Sequence, residues 1–215
     1  KVYLQELTSY NKVLNQRNKL LKDIGFQPGL TETLDVWDMH LVSYGKKIIS
    51  LRRQFMEELG EIIRQIHSNL TGKKEEIRLL YEPDVEEKVF EEKLQSAREK
   101  DLRFRVTSVG PHRDDFCVQT NGIDIRKYGS QGQQRTAALS LKMSEIYLVE
   151  KVTKDHPVLL LDDVLSELDS SRQNYLLQSI HNIQTVITCT GLDELIENNF
   201  SIDRVFRVTE GKIDF

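Results

Sequence analysis

Two short stretches of this sequence hold residues whose types and spacing could do chemistry. In the first, VLLLDDVLSELD at residues 158–169, the adjacent carboxylates Asp162 and Asp163 follow four apolar residues. A buried strand of an open α/β sheet ends at the edge where ligands bind. Mg²⁺ prefers oxygen ligands, and one carboxylate is enough when phosphates supply the rest. We therefore expect Asp162 to hold the hydration shell of Mg²⁺ and Asp163 to orient or deprotonate an attacking water; the alternative is a strand that ends in a solvent-facing turn.

The second stretch, YGSQGQQRT at residues 128–136, stands directly before a strongly helical pattern. A helix N-terminus offers free backbone N–H groups and the positive end of the helix dipole, and both favour a phosphate. Ser130 adds a hydroxyl group, and Gly132 has no side chain to block close approach. We therefore expect a phosphate-binding loop. The alternative, an ordinary N-capped helix, explains one serine and one glycine but not the run QGQQR.

The region before these stretches, residues 1–101, is predicted to be a helical lobe. Its apolar residues recur mostly at steps of three and four, which is the period of a helix. Thr31 is the predicted N-cap of a helix over residues 32–69 that would be about 55 Å long. This helix could pack within an antiparallel helical lobe, or it could form a coiled-coil dimer seam. IRLLY is read as a short strand, and a further charged helix is expected from Pro83 to about Lys100.

The second region, residues 102–215, changes to the period of strands alternating with helices. Asn121-Gly122 is a strong signal for a hairpin that joins DFCVQT to IDIRKY. RFRVTSV, VLLL, TVITC and RVFRV are read as further strands, and helices are expected after the glycine-containing loop, over about 169–182 and at LDELIENN. Short loops between strands and helices predict an α/β fold with a mostly parallel sheet.

Composition excludes several classes of protein. The formal net charge is −4, which is unlike a uniformly basic nucleic-acid binder but leaves room for a local basic patch. The first 110 residues are balanced, with 19 Lys/Arg against 18 Asp/Glu, so the acidity lies in the remainder. No apolar segment has the length of a membrane span, and there is no signal peptide. Cys117 and Cys189 match no metal-site spacing and are expected to be reduced thiols.

Together with GPHRDDF at residues 110–116, the two stretches resemble motifs of the ABC-type ATPases of the SMC-like branch. The match is specifically to the bacterial recombination and repair proteins of that branch. The three motifs stand in that family's order and spacing, and the resemblance covers essentially the whole chain. Heads of the chromosome-organising type carry hundreds of residues of coiled coil between their nucleotide motifs. Here the helical region is only about 100 residues long, which favours the short recombination type.

The resemblance implies roles for individual residues. It makes residues 130–133 the signature loop, the counterpart of LSGGQ, which in the family reaches across a dimer interface to the γ-phosphate bound by the partner subunit. Asp162 matches the Walker B aspartate, and Asp163 stands where a glutamate is usual. The matching D-loop spans residues 166–169, and the usual switch histidine falls near Thr190. The implied nucleotide-contacting residues are Ser130, Gln131, Gly132, Gln133, Arg135, Ser166, Asp169 and Thr190.

The implied function is part of an ATP- and Mg²⁺-dependent clamp that dimerises on duplex DNA near single-strand gaps. Its partners would be mediator proteins of the RecO and RecR type, in the bacterial cytoplasm at the nucleoid. DNA contact should be mainly to phosphates and therefore sensitive to salt. For GPHRDDF, one interpretation is a Gly-Pro turn with Asp114 or Asp115 capping a strand, and the other places His112 or Arg113 near nucleotide or DNA. Candidate DNA-binding residues are Lys46, Lys47, Arg52, Arg53, Lys73, Lys74 and Arg113.

One motif of this family has no match. GxxxxGK[ST] supplies the lysine that binds the β- and γ-phosphates, but each GK dipeptide of the chain is followed by Lys or Ile. The sequence also begins at Lys1 inside a helical pattern, which is typical of a fragment. We therefore expect the N-terminal half of the ATPase head to be supplied from outside this sequence. Alone, the chain should neither bind ATP tightly nor hydrolyse it, and it should expose a sheet edge and an apolar face.

Two alternative functions remain open from the sequence. One is the head of a different SMC-like chromosome or repair protein. The other is a non-enzymatic interaction module, in which the helical lobe docks a protein partner. Charge reversal on the long helix separates this module from a DNA binder, since only DNA binding should be lost in a salt-sensitive way.

Overall fold

The computed structural model describes residues 2–180, 183–190 and 202–214. Its α-helices are α1 (Val2–Ile24), α2 (Leu34–Leu70), α3 (Phe90–Ser96), α4 (Arg98–Phe104), α5 (Ile125–Tyr128), α6 (Gln131–Thr153) and α7 (Ser170–Ser179). Its strands are β1 (Ile77–Glu82), β2 (Asp115–Thr120), β3 (Ile123–Asp124), β4 (Leu159–Asp162), β5 (Thr185–Thr188), β6 (Arg207–Thr209) and β7 (Lys212–Asp214). None of the helices in these ranges is long and apolar enough to cross a membrane.

The first two helices form an antiparallel pair. Successive contacts run in opposite directions along them, from Arg17 with Asp38 to Lys47 with Glu6. Tyr10 and Val13 of α1 pack against apolar residues of α2, and Phe90 and Leu94 of α3 close the same core. The helical period therefore buries one face of each long helix within the lobe, as the first of the two interpretations of α2 predicted.

A buried ion cluster fixes the far end of this lobe. Arg17 is fully buried and donates to Asp38 at 2.6 Å, to Asp101 at 2.7 Å and to the hydroxyl of Thr107 at 2.8 Å. Asn18 accepts from the backbone N–H of Thr107 at 2.8 Å. A buried charge is tolerated only when it is paired and hydrogen-bonded, so these contacts hold the segment after α4 against α1.

Three sheets follow, and their strand directions differ. β1, β2 and β3 form an antiparallel sheet in which Ile77 pairs with Thr120 and Glu82 pairs with Asp115. β4 and β5 are parallel, as expected for the α/β part, with Asp162 opposite Thr188 at their ends. β6 and β7 form a separate antiparallel hairpin. The parallel pairing is thus found in the β4–β5 pair, and the strands before it are antiparallel.

Among the residues that the structure describes, the parallel pair is covered on one face only. Leu161 is buried in a core formed with Ile66 and Leu70 of α2, with α6 and with α7. On the opposite face, Leu160 is 72% exposed and Val186 is 53% exposed. This is the open apolar face expected for half of a head, and the long helix α2 reaches the core beneath it.

Several local predictions were wrong. RFRVTSV is not a strand: α4 runs to Phe104, and Arg105 then ends it in a left-handed conformation at φ 57°. In IDIRKY only β3 is a strand, because Asp124 caps the short helix α5 by accepting from the N–H of Arg126. Thr31 lies in a 3₁₀ turn over Pro28–Thr33, and the N-cap position of α2 is Thr33, whose hydroxyl donates back to the carbonyl of Leu30 and does not cap the helix.

Other boundaries also differ from those predicted. The charged segment from Pro83 to Lys100 forms two short helices, α3 and the start of α4, in place of one. In RVFRV only the last two residues belong to a strand, β6, and β7 follows it. The predicted helix LDELIENN lies outside the described residues. The division into residues 1–101 and 102–215 stays a prediction.

Candidate functional site

The loop at residues 130–133 begins helix α6 as a complete capping box. Ser130 is the N-cap, and its Oγ accepts from the backbone N–H of Gln133 at 3.2 Å. In return, Oε1 of Gln133 accepts from the backbone N–H of Ser130 at 3.0 Å. Reciprocal bonds of this kind satisfy two donors that a helix end otherwise leaves open. The side chain of Gln133 is therefore engaged inside the loop.

Other donors of the loop remain available for a ligand. The N–H groups of Gln131 and Gly132, in the first turn of α6, have no carbonyl four residues earlier in the helix to accept them. The hydroxyl of Ser130 uses its oxygen as the cap acceptor, so its hydrogen can be donated outward. A Cβ built on Gly132 would meet only Oγ of Ser130, at 4.0 Å. The space over this helix end is open, and its donors and dipole suit a phosphate.

Further bonds tie the start of α6 to the end of α2. Nε2 of Gln133 donates to Oε1 of Glu75 at 3.4 Å. Oε2 of Glu75 lies 3.3 Å from Nε2 of His67, whose Nδ1 lies 2.8 Å from Oγ of Ser140. The side chain of His67 is fully buried, and this burial lowers the pKa of the imidazole in spite of the bond to Glu75. None of these partners of the loop was predicted from the sequence.

The carboxylates Asp162 and Asp163 lie at the end of β4, as predicted, and both are exposed. Thr188, directly opposite on β5, donates its hydroxyl to Oδ1 of Asp162. The backbone N–H of Asp163 lies 3.1 Å from both the carbonyl and the hydroxyl oxygen of Thr188. Asp163 has φ 51°, a left-handed conformation that is uncommon outside glycine and that Asp tolerates better than most. The two carboxylates thus belong to a sharp turn whose backbone is hydrogen-bonded to β5.

The segment after this turn matches the predicted D-loop in position. Oγ of Ser166 donates to the carbonyl of Asp163 at 2.8 Å. Asp169 is the N-cap of α7 and accepts from the backbone N–H of Arg172 at 3.0 Å. This bond, together with the charge of Arg172, holds the pKa of the Asp169 carboxyl below its usual value. Both side chains therefore have structural roles, and both remain exposed at the surface.

Thr188 is the strand-end residue that bonds Asp162, and the nucleotide contact expected near Thr190 stays a prediction. Thr190 is exposed two residues farther along. The register of the parallel pair explains the contact between Thr188 and Asp162, because residues that lie opposite each other at the strand ends are neighbours. The signal in the sequence was the threonine in TVIT, which ends the second strand as Asp162 ends the first.

Among the described residues, the loop and the strand-end carboxylates are not joined by hydrogen bonds or ion pairs. Within the described parts of the chain, no hydrogen bond or ion pair joins Ser130 or Gln133 to Asp162 or Asp163. These parts also contain no cluster of three His, Cys, Asp or Glu side chains that could hold a metal. One exposed carboxylate oriented by a hydroxyl still fits Mg²⁺, which keeps several waters and takes phosphate oxygens from its substrate.

The basic residues expected to bind DNA fall into two sets. Lys46, Lys73 and Lys74 have no ion pair among the described residues. About 35 Å of helix separates Lys46 from the end of α2, so these three do not form one patch. The other four are paired with carboxylates of the chain: Lys47 with Glu6, Arg52 with Asp114, Arg53 with Glu86 and Arg113 with Asp84.

GPHRDDF has mainly a structural role. Asp114 accepts from Arg52 at 2.8 Å, from the hydroxyl of Tyr81 and from the backbone N–H of Asp84 at 3.0 Å. Nδ1 of His112 lies 2.7 Å from the hydroxyl of Tyr10. These bonds attach the run to α1, α2 and β1, and the placement of His112 or Arg113 near nucleotide or DNA stays a prediction. Arg113 alone of the run is an exposed cation.

Gly110 allows the close approach of this run to α1. Its φ of 138° is unfavourable for other residues, and a Cβ would lie 2.5 Å from the hydroxyl of Tyr10.

Comparison with known proteins finds relatives that share one name. No family model matches the sequence. A protein of Agathobacter rectalis named DNA replication and repair protein RecF is 58% identical over 214 residues, covering 100% of this chain. A solved structure of the recombination mediator protein RecF, as RecF-ATPrS in the RecFOR pathway, superposes with a TM-score of 0.84 and 36% identity over 100% of the chain. The chain matches the C-terminal part of RecF.

The same name recurs among further relatives. A RecF of Clostridium perfringens is 44% identical over 218 residues and covers 99% of this chain. The chain spans 59% of the Agathobacter rectalis RecF and 58% of the RecF-ATPrS chain. The resemblance inferred from YGSQGQQRT and the strand-end carboxylates is therefore confirmed as a match to the C-terminal part of RecF, and the α/β fold is shared with the solved RecF.

Proposed function

We propose that this chain supplies the signature-loop half of an ATP-dependent DNA clamp that acts in recombinational repair. The observation that carries the proposal is the helix end at residues 130–133. It presents the Ser130 hydroxyl and the N–H groups of Gln131 and Gly132 to open space, and within the described parts of the chain it forms no hydrogen bond with the strand-end carboxylates. A phosphate-binding loop that is not joined to the carboxylates of its own chain is suited to bind a nucleotide held by a second molecule.

On this proposal, the two parts of the site act on different nucleotides of a dimer. The signature loop of one subunit donates hydrogen bonds to the γ-phosphate held by the other, and Arg135 adds positive charge beside it. Asp162, oriented by Thr188, holds the waters of Mg²⁺ in its own subunit, where the metal neutralises phosphate charge. Asp163 orients the attacking water, and Ser166 and Asp169 lie at the interface. A twofold dimer repeats each contact twice.

The name of the relatives and the RecF-ATP and RecF-ATPrS structures support ATP as the nucleotide. The RecFOR description of those structures supports partners of the RecO and RecR type. We propose duplex DNA near single-strand gaps as the nucleic acid, bound through phosphates. The residues that bind the β-phosphate and the adenine would come from the part of RecF outside this chain.

Light scattering of the full-length protein tests the clamp. Molar mass is measured with and without ATP and Mg²⁺, for the native protein and for Ser130→Arg. ATP should produce a dimer, and the substitution should leave a monomer that still binds ATP, because the arginine fills the open space that the partner's phosphate needs. Normal dimerisation of Ser130→Arg would show that this loop is not the trans clamp, and the interaction-module function would then be favoured.

A further inference from the structure

The capping box of α6 depends on which way the amide of Gln133 points. Its Oε1 must face the N–H of Ser130, since two donors facing each other would repel. Its NH₂ group then points away from the loop, toward Glu75 at 3.4 Å. A carboxylate accepts hydrogen bonds and cannot donate them, so Glu75 selects this orientation of the amide. Glu75 therefore determines the side-chain geometry of a loop that lies 58 residues away in the sequence.

Glu75 is itself held in place from two sides. Nε2 of His67 lies 3.3 Å from Oε2 of Glu75, and Nδ1 of the same ring lies 2.8 Å from Oγ of Ser140, whose hydroxyl donates to the carbonyl of Thr136 at 2.7 Å. The next residue, Glu76, is fixed to the β2–β3 turn: its backbone N–H donates to the side chain of Asn121 at 2.9 Å, and its carbonyl accepts from the N–H of Asn121 at 2.8 Å. The carboxylate thus has little freedom to turn away from Gln133.

The connections to α6 lie on one face of that helix. Gln133 and Ser140 are seven residues apart, which is about two turns, so Glu75 and His67 hold α6 at its start and two turns later. Both come from the last turn of α2 and the segment after it. The position of the signature loop is therefore set by the end of the long helix.

We propose that Glu75 is a positioning residue of the signature loop, acting through the amide of Gln133. The proposal rests on the function proposed for the loop and adds a residue that lies outside its motifs. When the Glu75 carboxylate holds Gln133, the amide keeps the Ser130 N–H capped and the first turn of α6 in place. The Ser130 hydroxyl and the N–H groups of Gln131 and Gly132 then face the partner's phosphate.

The test measures ATP-dependent dimerisation of the full-length protein, with ATP binding to the monomer and thermal unfolding as parallel readouts. Glu75→Ala should weaken the contact of each loop with the partner's nucleotide about five-fold, which corresponds to the loss of one hydrogen bond worth about 1 kcal/mol. Two loops act in each dimer, so the dimerisation constant should fall about 25-fold. Glu75→Gln should restore most of the lost dimerisation. Its carbonyl oxygen accepts from Gln133, and its NH₂ group donates to Nε2 of a neutral His67 ring that carries its hydrogen on Nδ1.

Glu76→Ala is the matched control. It removes the same charge one position along, where the side chain pairs with Arg78 at 3.0 Å and does not touch the loop. It should leave dimerisation within about two-fold of the native value, the range of a surface substitution. If Glu75→Ala behaves like Glu76→Ala while Ser130→Arg still blocks the dimer, the role of Glu75 is overturned and the clamp stands. If Ser130→Arg dimerises normally, the clamp itself fails.

A second pair of variants covers the case in which Glu75→Ala does not fold. Gln133→Glu places two carboxylates opposite each other and should abolish the dimer, and adding Glu75→Gln should restore it. Recovery in the double variant requires the two side chains to act on each other. No recovery, in a double variant that unfolds at the native temperature, would overturn the proposal.

Discussion

The hydroxyl of Thr188 donates a hydrogen bond to the carboxylate of Asp162, across the ends of two parallel strands. The same threonine also accepts from the backbone of Asp163. A single side chain on β5 therefore orients one strand-end carboxylate and fixes the turn that carries the other.

Thr188→Val should remove both bonds at nearly constant volume. We expect ATP turnover of the full-length protein to fall about five-fold, and the free energy of unfolding to fall by about 1 kcal/mol, the usual worth of a hydrogen bond. Steady-state hydrolysis and chemical denaturation measure the two effects. Thr185→Val, at the other end of β5, is the control and should leave turnover unchanged. Equal turnover in both variants would show that Thr188 does not orient Asp162.

The chain alone should not hydrolyse ATP, because it has no lysine loop for the β- and γ-phosphates. We expect its phosphate release to equal that of its own Asp162→Asn variant, purified in parallel. Turnover in the native chain that Asp162→Asn removes would contradict this prediction and place a complete site within the chain.

Leu160→Lys should reduce self-association of the chain alone but lower the stability of the full-length protein. In the chain alone this side chain is 72% exposed on the open apolar face. The substitution should reduce self-association and leave the unfolding free energy within about 0.5 kcal/mol. In the full-length protein, where we expect other strands to cover this face, it should destabilise by about 2 kcal/mol or more. Sedimentation and thermal unfolding test both, and equal stability in the full-length protein would mean that nothing covers the face.

Lys73→Glu with Lys74→Glu should weaken DNA binding more than Arg53→Glu with Lys47→Glu. The first pair has no ion-pair partner among the described residues, whereas Arg53 and Lys47 are bound to Glu86 and Glu6. We expect the first double variant to reduce the salt dependence of binding by about one ion per lost phosphate contact. Fluorescence anisotropy on a gapped duplex at several salt concentrations measures this. Unchanged DNA affinity with loss of a mediator protein would favour the interaction-module function.

Acid should destabilise the protein through His67. Burial lowers the pKa of this imidazole from the ordinary 6.5, so the unfolded chain binds a proton more readily than the folded chain. Stability from this group is full above pH 6.5 and is lost as the pH falls from there toward the folded pKa. Burial also lowers the pKa of His112, so protonation of this imidazole changes the stability in the same direction.

His67→Gln should therefore make the loss of unfolding free energy between pH 7.5 and 5.5 smaller, while the contribution of His112 remains. Urea denaturation at the two pH values compares the variant with the native protein. An equal loss in both would mean that His67 has the same proton affinity folded and unfolded.

The elements predicted well are those defined by a strong local pattern. α2 follows from the three–four spacing of its apolar residues, and α6 from the capping residues before it. Asn121-Gly122 correctly marked the turn of the β2–β3 hairpin. RFRVTSV alternates like a strand, but distant groups decide its structure: Asn18 binds the backbone of Thr107, and Asp101 accepts from the N–H of Ser108 at 2.9 Å.

By itself, the sequence determined the chemistry that the chain can offer. A serine cap with open N–H groups and two carboxylates after an apolar strand are local features, so they can be read from residue types and spacing. Only the tertiary structure decided which groups orient them. Thr188 reaches Asp162 from another strand and Glu75 reaches Gln133 from the end of α2, because side-chain contacts depend on packing between elements that are far apart in the chain. The same packing pairs Arg52, one of the DNA candidates, with Asp114.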